Sequence, residues 1–133
     1  MRYFAARNFC SGLAFGASCV ALGPGSADPY GHKAVRASMG ALFSVPVARV
    51  KTLAELPGRK IALVAREGAP LRELPVDGEL TLVVGAEREG LPSQIVAECD
   101  DVAHIPIAHA DSLNAAMAAT VALYDLTTRI SHP

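Results

Sequence analysis

The sequence predicts an α/β fold, a mostly parallel sheet flanked by helices, and three observations carry that expectation. Residues 61–65 (IALVA) and 80–84 (LTLVV) are short unbroken apolar runs, the pattern of strands covered on both faces as in a parallel sheet. Stretches of helical periodicity fall between such runs, so strand and helix alternate. Of 133 residues, 51% are apolar, largely Ala and Val, while 5% are aromatic and none is Trp, which suits helices packed closely on a sheet. The length is one domain's worth, and 1–133 is read as a single domain.

Each element has its own signal. Residues 4–15 suit a short helix, and 18–22 (SCVAL) is an apolar run ended by the turn Gly23-Pro24-Gly25-Ser26. Residues 32–43 (HKAVRASMGALF) read as helical, with Val35, Met39 and Leu42 on one face. Residues 45–50 (VPVARV) read as a strand, and Pro46 places it at an edge or at its first residues, because proline cannot donate to a ladder. Residues 52–56 make a helical turn that Thr52 caps and Pro57-Gly58 stops. Residues 66–79 (REGAPLRELPVDGE) suit a surface excursion, 92–98 a helix, 102–107 a strand and 112–130 a long Ala-rich helix.

Composition narrows the function classes. No stretch approaches the ~18–20 unbroken apolar residues of a membrane span, so no membrane association is expected. Three cysteines, Cys10, Cys19 and Cys99, include no CxxC and no histidine at zinc spacing, which disfavours a disulfide framework or a metal site. A reducing cytoplasm is the expected location. Arg7, Asn8 and Ser11 interrupt the early apolar stretch that a signal peptide would need. The net charge of −1 divides unevenly, since residues 1–72 carry +7 and residues 73–133 carry −8. A cationic half can face a polyanion.

Three segments stand out for chemistry. Gly85-Ala86-Glu87-Arg88-Glu89-Gly90-Leu91-Pro92 follows the LTLVV run, and glycine at the carboxyl end of a strand lets a ligand approach the backbone where open α/β sheets place their sites. An ordinary connecting loop with solvated charges gives the same pattern. Asp111-Ser112-Leu113-Asn114 opens the final helix, where Asp111 or Ser112 would be a natural N-cap and Ala115, Ala116, Ala118 and Ala119 allow close packing. A capped structural helix looks the same. In the third, Lys33 and Arg36 share a helix face at i, i+3, either as phosphate contacts or as a solvated surface. His32, His104, His109 and His132 have no catalytic partner at readable spacing.

In their order and spacing, GHKAVRASMGALFSVPV (31–47), TLVVGAEREGLP (81–92) and HIPIAHADSLNAAMAATVALYD (104–125) closely resemble the catalytic domain of SpoU/TrmH RNA ribose methyltransferases of the SPOUT superfamily. The resemblance implies a deep trefoil knot, an exception to the unknotted rule. It also implies S-adenosyl-L-methionine (SAM) as cofactor, held at the positions of Gly85, Ile105 and Leu113, and polar active-site positions at Glu87, Ser112 and Asn114. The implied activity is 2′-O-methylation of a ribose in tRNA or rRNA by a homodimer, with RNA as partner and no metal. Lys33 and Arg36 are the candidate RNA contacts.

The first motif departs from the family pattern, roughly Asn-x-Gly-x-x-x-Arg upstream of Ala-Phe-Gly. Ala14-Phe15-Gly16 is present, but Phe4, Ala6 and Cys10 stand where the pattern has Asn, Gly and Arg. The resemblance gives that arginine a part in deprotonating the ribose hydroxyl, a role cysteine cannot supply; Arg7, one helical turn earlier, is the nearest substitute. The chain therefore reads as a member cut at its start, with the first strand and an RNA-recognition domain missing. The alternative function is a catalytically inactive knot domain that retains SAM binding or weak RNA binding.

Overall fold

A computed structural model describes residues 2–4 as backbone, together with residues 14–26, 28–86, 89–109 and 113–132. Its strands are β1 (Arg2–Phe4), β2 (Cys19–Leu22), β3 (Val47–Arg49), β4 (Arg59–Leu63), β5 (Ala69–Pro70), β6 (Leu80–Val84) and β7 (Asp101–His104). Among the described residues the α-helices are α1 (His32–Ala37), α2 (Ser93–Glu98) and α3 (Ala115–Ser131). The strands form one sheet in the order β3-β2-β1-β6-β4-β7-β5, and every pairing is parallel.

The apolar runs become strands because both sheet faces are covered. All five residues of β6 are buried. Leu80, Leu82 and Val84 join Val20, Leu22, Ile61 and Leu63 in a core that Ala119, Ala122, Leu123 and Leu126 of α3 close. Val83 and Ala21 point the other way, against Leu53, Leu56 and the half-buried Ile95 of α2. This alternation is the period of two expected of strands. Thr81 is the polar member of β6, and its hydroxyl donates to the Pro57 carbonyl at 2.8 Å, which removes the cost of burying it.

The structure corrects several expectations. The sheet has no gap where a first strand was expected to be missing. Arg2–Phe4 lies between β2 and β6, with Tyr3 opposite Val20 and Leu82, so three extended residues complete the ladders on both sides. Residues 5–13, most of the expected N-terminal helix, lie outside the described residues. The helix over 32–43 stops at Ala37, and Met39 and Gly40 adopt φ values of 49° and 87° before a 3₁₀ turn over Ala41–Phe43. That left-handed break turns Met39 out to 88% exposure, off the face shared by Val35 and the buried Leu42.

β3 begins directly after Pro46 and forms one edge of the sheet, as proline requires. The turn at 52–56 is a 3₁₀ turn, Leu53–Glu55, whose Glu55 carboxylate accepts from the amides of Lys51 and Thr52 at 2.7 and 3.0 Å. Residues 66–79 are more than a surface excursion: they contain β5 and a 3₁₀ turn, Leu71–Glu73, whose Leu71 is buried. The connection over residues 64–68 crosses from one side of β7 to the other, since β4 and β5 flank β7 and both meet it at Ala103. Gly68 makes this crossing possible. Its φ is +76°, and a β-carbon there would lie 2.0 Å from the Val102 carbonyl oxygen.

Candidate functional site

At the carboxyl ends of β4, β6 and β7 lies a cavity of about 910 Å³, open to solvent on one side. Four segments line it: the crossover with Val64, Ala65, Arg66 and Glu67; the loop after β6 with Gly85, Ala86, Glu89, Gly90 and Leu91; α2 and the residues after it with Val96, Ala97 and Cys99; and the approach to α3 with Ile105, Ile107, Leu113, Ala115 and Ala118. Each segment arrives here for the same reason. In a parallel sheet every strand delivers its following loop to one edge, where backbone groups leave the ladder and become available to a ligand.

The loop after β6 is built on glycine. Gly90, at φ 65°, donates its amide to the Ala86 carbonyl at 3.0 Å, so the loop folds back onto Gly85. A β-carbon on Gly85 would lie 2.1 Å from the Gly90 carbonyl carbon and 2.4 Å from the Leu91 nitrogen. Backbone cannot yield as a flexible side chain would, so only glycine fits this close approach.

At the start of α3, next to the cavity-lining Leu113, Asn114 caps the helix, and its Oδ1 accepts from the Ala116 amide at 2.8 Å. The cap is thus Asn114, whereas the sequence favoured Asp111 or Ser112. Leu113 sits just ahead of the cap and faces the cavity. Ala115 and Ala118 line the cavity while Ala119 and Ala122 are buried in the core, so small residues let α3 lie close on both sides.

Cys99 also faces the cavity. Burial first, and then the neighbouring Asp100 carboxylate, push its thiol up to about 11 from an ordinary 9.0. The thiol donates to the Ile95 carbonyl and stays protonated at neutral pH.

The fold brings Gly85, Ile105 and Leu113, from three segments of the chain, into the lining of one cavity. Asn114 follows Leu113 directly, is not among the lining residues, and has its side-chain oxygen committed to the helix cap. Glu87, Ser112 and Arg7 lie outside the described residues. Lys33 and Arg36 are exposed on α1 and are not among the cavity-lining residues. Sequence reasoning missed the crossover 64–67 and the α2 face. The first had a readable signal, because it follows the IALVA strand as Gly85 follows LTLVV; the second did not, since α2 is too short to show a periodic face.

Comparison with known proteins agrees with this architecture. The SpoU rRNA Methylase family matches residues 9–124. A relative in Bacillus subtilis, named 23S rRNA (guanosine(2553)-2'-O)-methyltransferase RlmP, is 32% identical over 120 residues, which cover 85% of this chain and 48% of that protein. Among solved structures, the SpoU methyltransferase AviRb of Streptomyces viridochromogenes in complex with AdoMet superposes with a TM-score of 0.87 at 28% identity, covering 98% of this chain and 61% of that one. The AdoMet-bound rRNA methyltransferase of Sinorhizobium meliloti gives 0.87 at 27% identity, covering 97% of this chain and 56% of that one. The chain spans about half the length of the RlmP relative. A parallel sheet whose strand ends open on a glycine-built cavity, joined to a family match over most of the length, assigns this chain to the SpoU rRNA Methylase family.

Proposed function

We propose that the chain is the SAM-binding, methyl-transferring domain of an RNA ribose 2′-O-methyltransferase acting on tRNA or rRNA. The observation that carries this reading is the meeting of Gly85, Ile105 and Leu113 in one cavity. The cavity suits the cofactor in size, falling within the roughly 300–1,000 Å³ of small-molecule sites. It suits it in chemistry too. Aliphatic walls from Leu91, Val96 and Ile107 match an adenine ring, and backbone at three strand ends offers donors and acceptors for polar atoms. AviRb and the Sinorhizobium enzyme, alike in fold over nearly the whole chain, are described with AdoMet bound.

SAM would supply a methyl group on a sulfonium; transfer to the ribose breaks the S–CH₃ bond and forms O–CH₃. The chain must orient the ribose and take the 2′-hydroxyl proton. Glu87, Ser112 and Asn114 are the proposed polar positions for this, with Arg7 as the cation nearest in sequence to Cys10, and Lys33 and Arg36 as phosphate contacts. Asn114 contributes by fixing the start of α3 beside Leu113. Proton removal without a positioned base or activating cation loses about two to four powers of ten in rate, so Cys10 in place of arginine predicts low turnover. This substitution is also what favours the second reading, a knot domain that binds SAM without transferring methyl.

We further read the protein as a cytoplasmic homodimer. Met117, Val121 and Tyr124 stand exposed at i, i+4 and i+7 on α3, an apolar stripe of the kind an isologous contact covers.

Calorimetry with S-adenosylhomocysteine, the demethylated product, tests the cofactor reading; no binding by folded protein refutes it. Methyl transfer from labelled SAM to tRNA and rRNA then separates the two functions. Substituting Cys10→Arg should raise the rate if the enzyme reading holds.

A further inference from the structure

We propose that Arg129 is a positioning residue that clamps the segment continuing the crossover wall of the cavity to α3, the helix whose first turn also lines it. The inference rests on the reading of the cavity as the cofactor site. Arg129 lies near the end of α3, about 16 Å along the helix from Ala118 at ~1.5 Å per residue, so it acts on the cavity from a distance.

Its guanidinium reaches across to the 3₁₀ turn that follows β5. One terminal nitrogen donates to the carbonyls of Leu74 at 2.7 Å and Arg72 at 3.3 Å. The other donates to Leu71 at 3.0 Å and meets Asp125 at 2.7 Å, and Nε donates to Asp125 at 2.9 Å. Five contacts use the five N–H donors of the guanidinium. The Arg72 and Leu74 carbonyls lie at the end of the 3₁₀ turn, where a cation is favoured, and the Leu71 carbonyl also accepts from the Leu74 amide at 3.2 Å.

The clamp adds to the hydrogen bonds that hold the crossover itself, where the Val64 amide donates to the Ala103 carbonyl at 2.9 Å and the His104 ring lies 3.3 Å from the Glu67 carbonyl. Residues 64–67 line the cavity, and β5, which continues them, is a two-residue strand at the sheet edge paired with β7 alone. Buried Leu71 and Arg129 fix the far end of this segment to α3, whose Ala115 and Ala118 line the cavity. One helix thus sets the distance between two walls. A lysine cannot reproduce this, since a single ammonium cannot span three carbonyls and a carboxylate.

The test compares the wild-type chain with Arg129→Met, Arg129→Lys and Asp125→Asn, by calorimetry with S-adenosylhomocysteine and by amide hydrogen exchange. Arg129→Met is expected to weaken binding about tenfold and to speed exchange about tenfold over 64–74, with 80–84 unchanged as the internal reference. Arg129→Lys should recover part of both losses, and Asp125→Asn, which leaves the three carbonyl contacts, should change neither by more than about twofold. Wild-type affinity in Arg129→Met, or exchange rising equally over 64–74 and 80–84, overturns the clamp. If Arg129→Met does not fold, Arg129→Lys against wild type gives the same two readouts. If the wild type shows no binding, the cofactor reading fails, and the exchange comparison alone decides whether Arg129 holds the crossover.

Discussion

At the residue scale the cavity depends on positions where one atom more or less decides the geometry. Gly85 is the sharpest case. Gly85→Ala would force backbone apart at Gly90 and Leu91, and overpacking of this kind costs roughly 1–3 kcal/mol. Because the strain falls on the cavity wall, binding of S-adenosylhomocysteine should drop more than tenfold while the sheet stays folded, as calorimetry and circular dichroism would register. Cys99 offers a chemical probe of the same wall. With its thiol pushed up to about 11, alkylation by iodoacetamide should be slow at pH 7, accelerate toward pH 11, and be suppressed by saturating S-adenosylhomocysteine. Peptide mass spectrometry distinguishes it from Cys10 and Cys19. The sign for stability follows: the raised thiol pKa contributes fully below 9.0, and the contribution fades as pH rises through about 11.

At the element scale, caps and crossings rather than strand interiors set the site. Asn114→Ala removes the acceptor for the Ala116 amide and should cost about 1 kcal/mol, read as a lowered urea midpoint. Asn114→Asp keeps the acceptor and should retain most of that stability. The 3₁₀ turn at Leu53–Glu55 makes a pH-dependent contribution. The backbone amides of Lys51 and Thr52 hold the Glu55 carboxyl below its ordinary 4.5, so its stabilisation is present above pH 4.5 and lost as pH falls through the lowered folded value. The difference in melting temperature between wild type and Glu55→Gln should therefore shrink on acidification below pH 4.5. Much of this level was readable in advance: Pro46 announced an edge strand, and Thr52 with Pro57-Gly58 bounded a short turn. The break of the helix at Met39-Gly40 was less so, because the apolar spacing of Val35, Met39 and Leu42 imitates a continuous helix face and the local left-handed backbone overrides it.

At the scale of the whole molecule, the α3 helix serves three surfaces at once. Its buried alanines and leucines close the core, its N-terminal turn lines the cavity, and Phe15 packs edge-to-face on Tyr124 at 5.8 Å, joining the Ala14-Phe15-Gly16 segment to it. Light scattering at micromolar concentration should report a dimer, and the double variant Met117→Glu, Tyr124→Glu a monomer with unchanged circular dichroism. A ligand that binds the folded state stabilises it by mass action, about 2.7 kcal/mol at a hundredfold excess over Kd, so saturating S-adenosylhomocysteine should raise the melting temperature by several degrees.

By itself the sequence determined the α/β class, the buried parallel strands and the family, because apolar runs, strand-end glycines and capping residues are local signals that survive without contacts. The family resemblance also pointed to Gly85, Ile105 and Leu113, three residues that line the cavity. Only the tertiary structure decided that three extended residues, Arg2–Phe4, complete the sheet, that residues 64–68 cross β7 to form a cavity wall, and that Arg129 reaches the 71–74 carbonyls. Those features join parts of the chain 17 to 79 residues apart, and such contacts leave no periodic trace because their free energy is gained only after the sheet has brought the partners together.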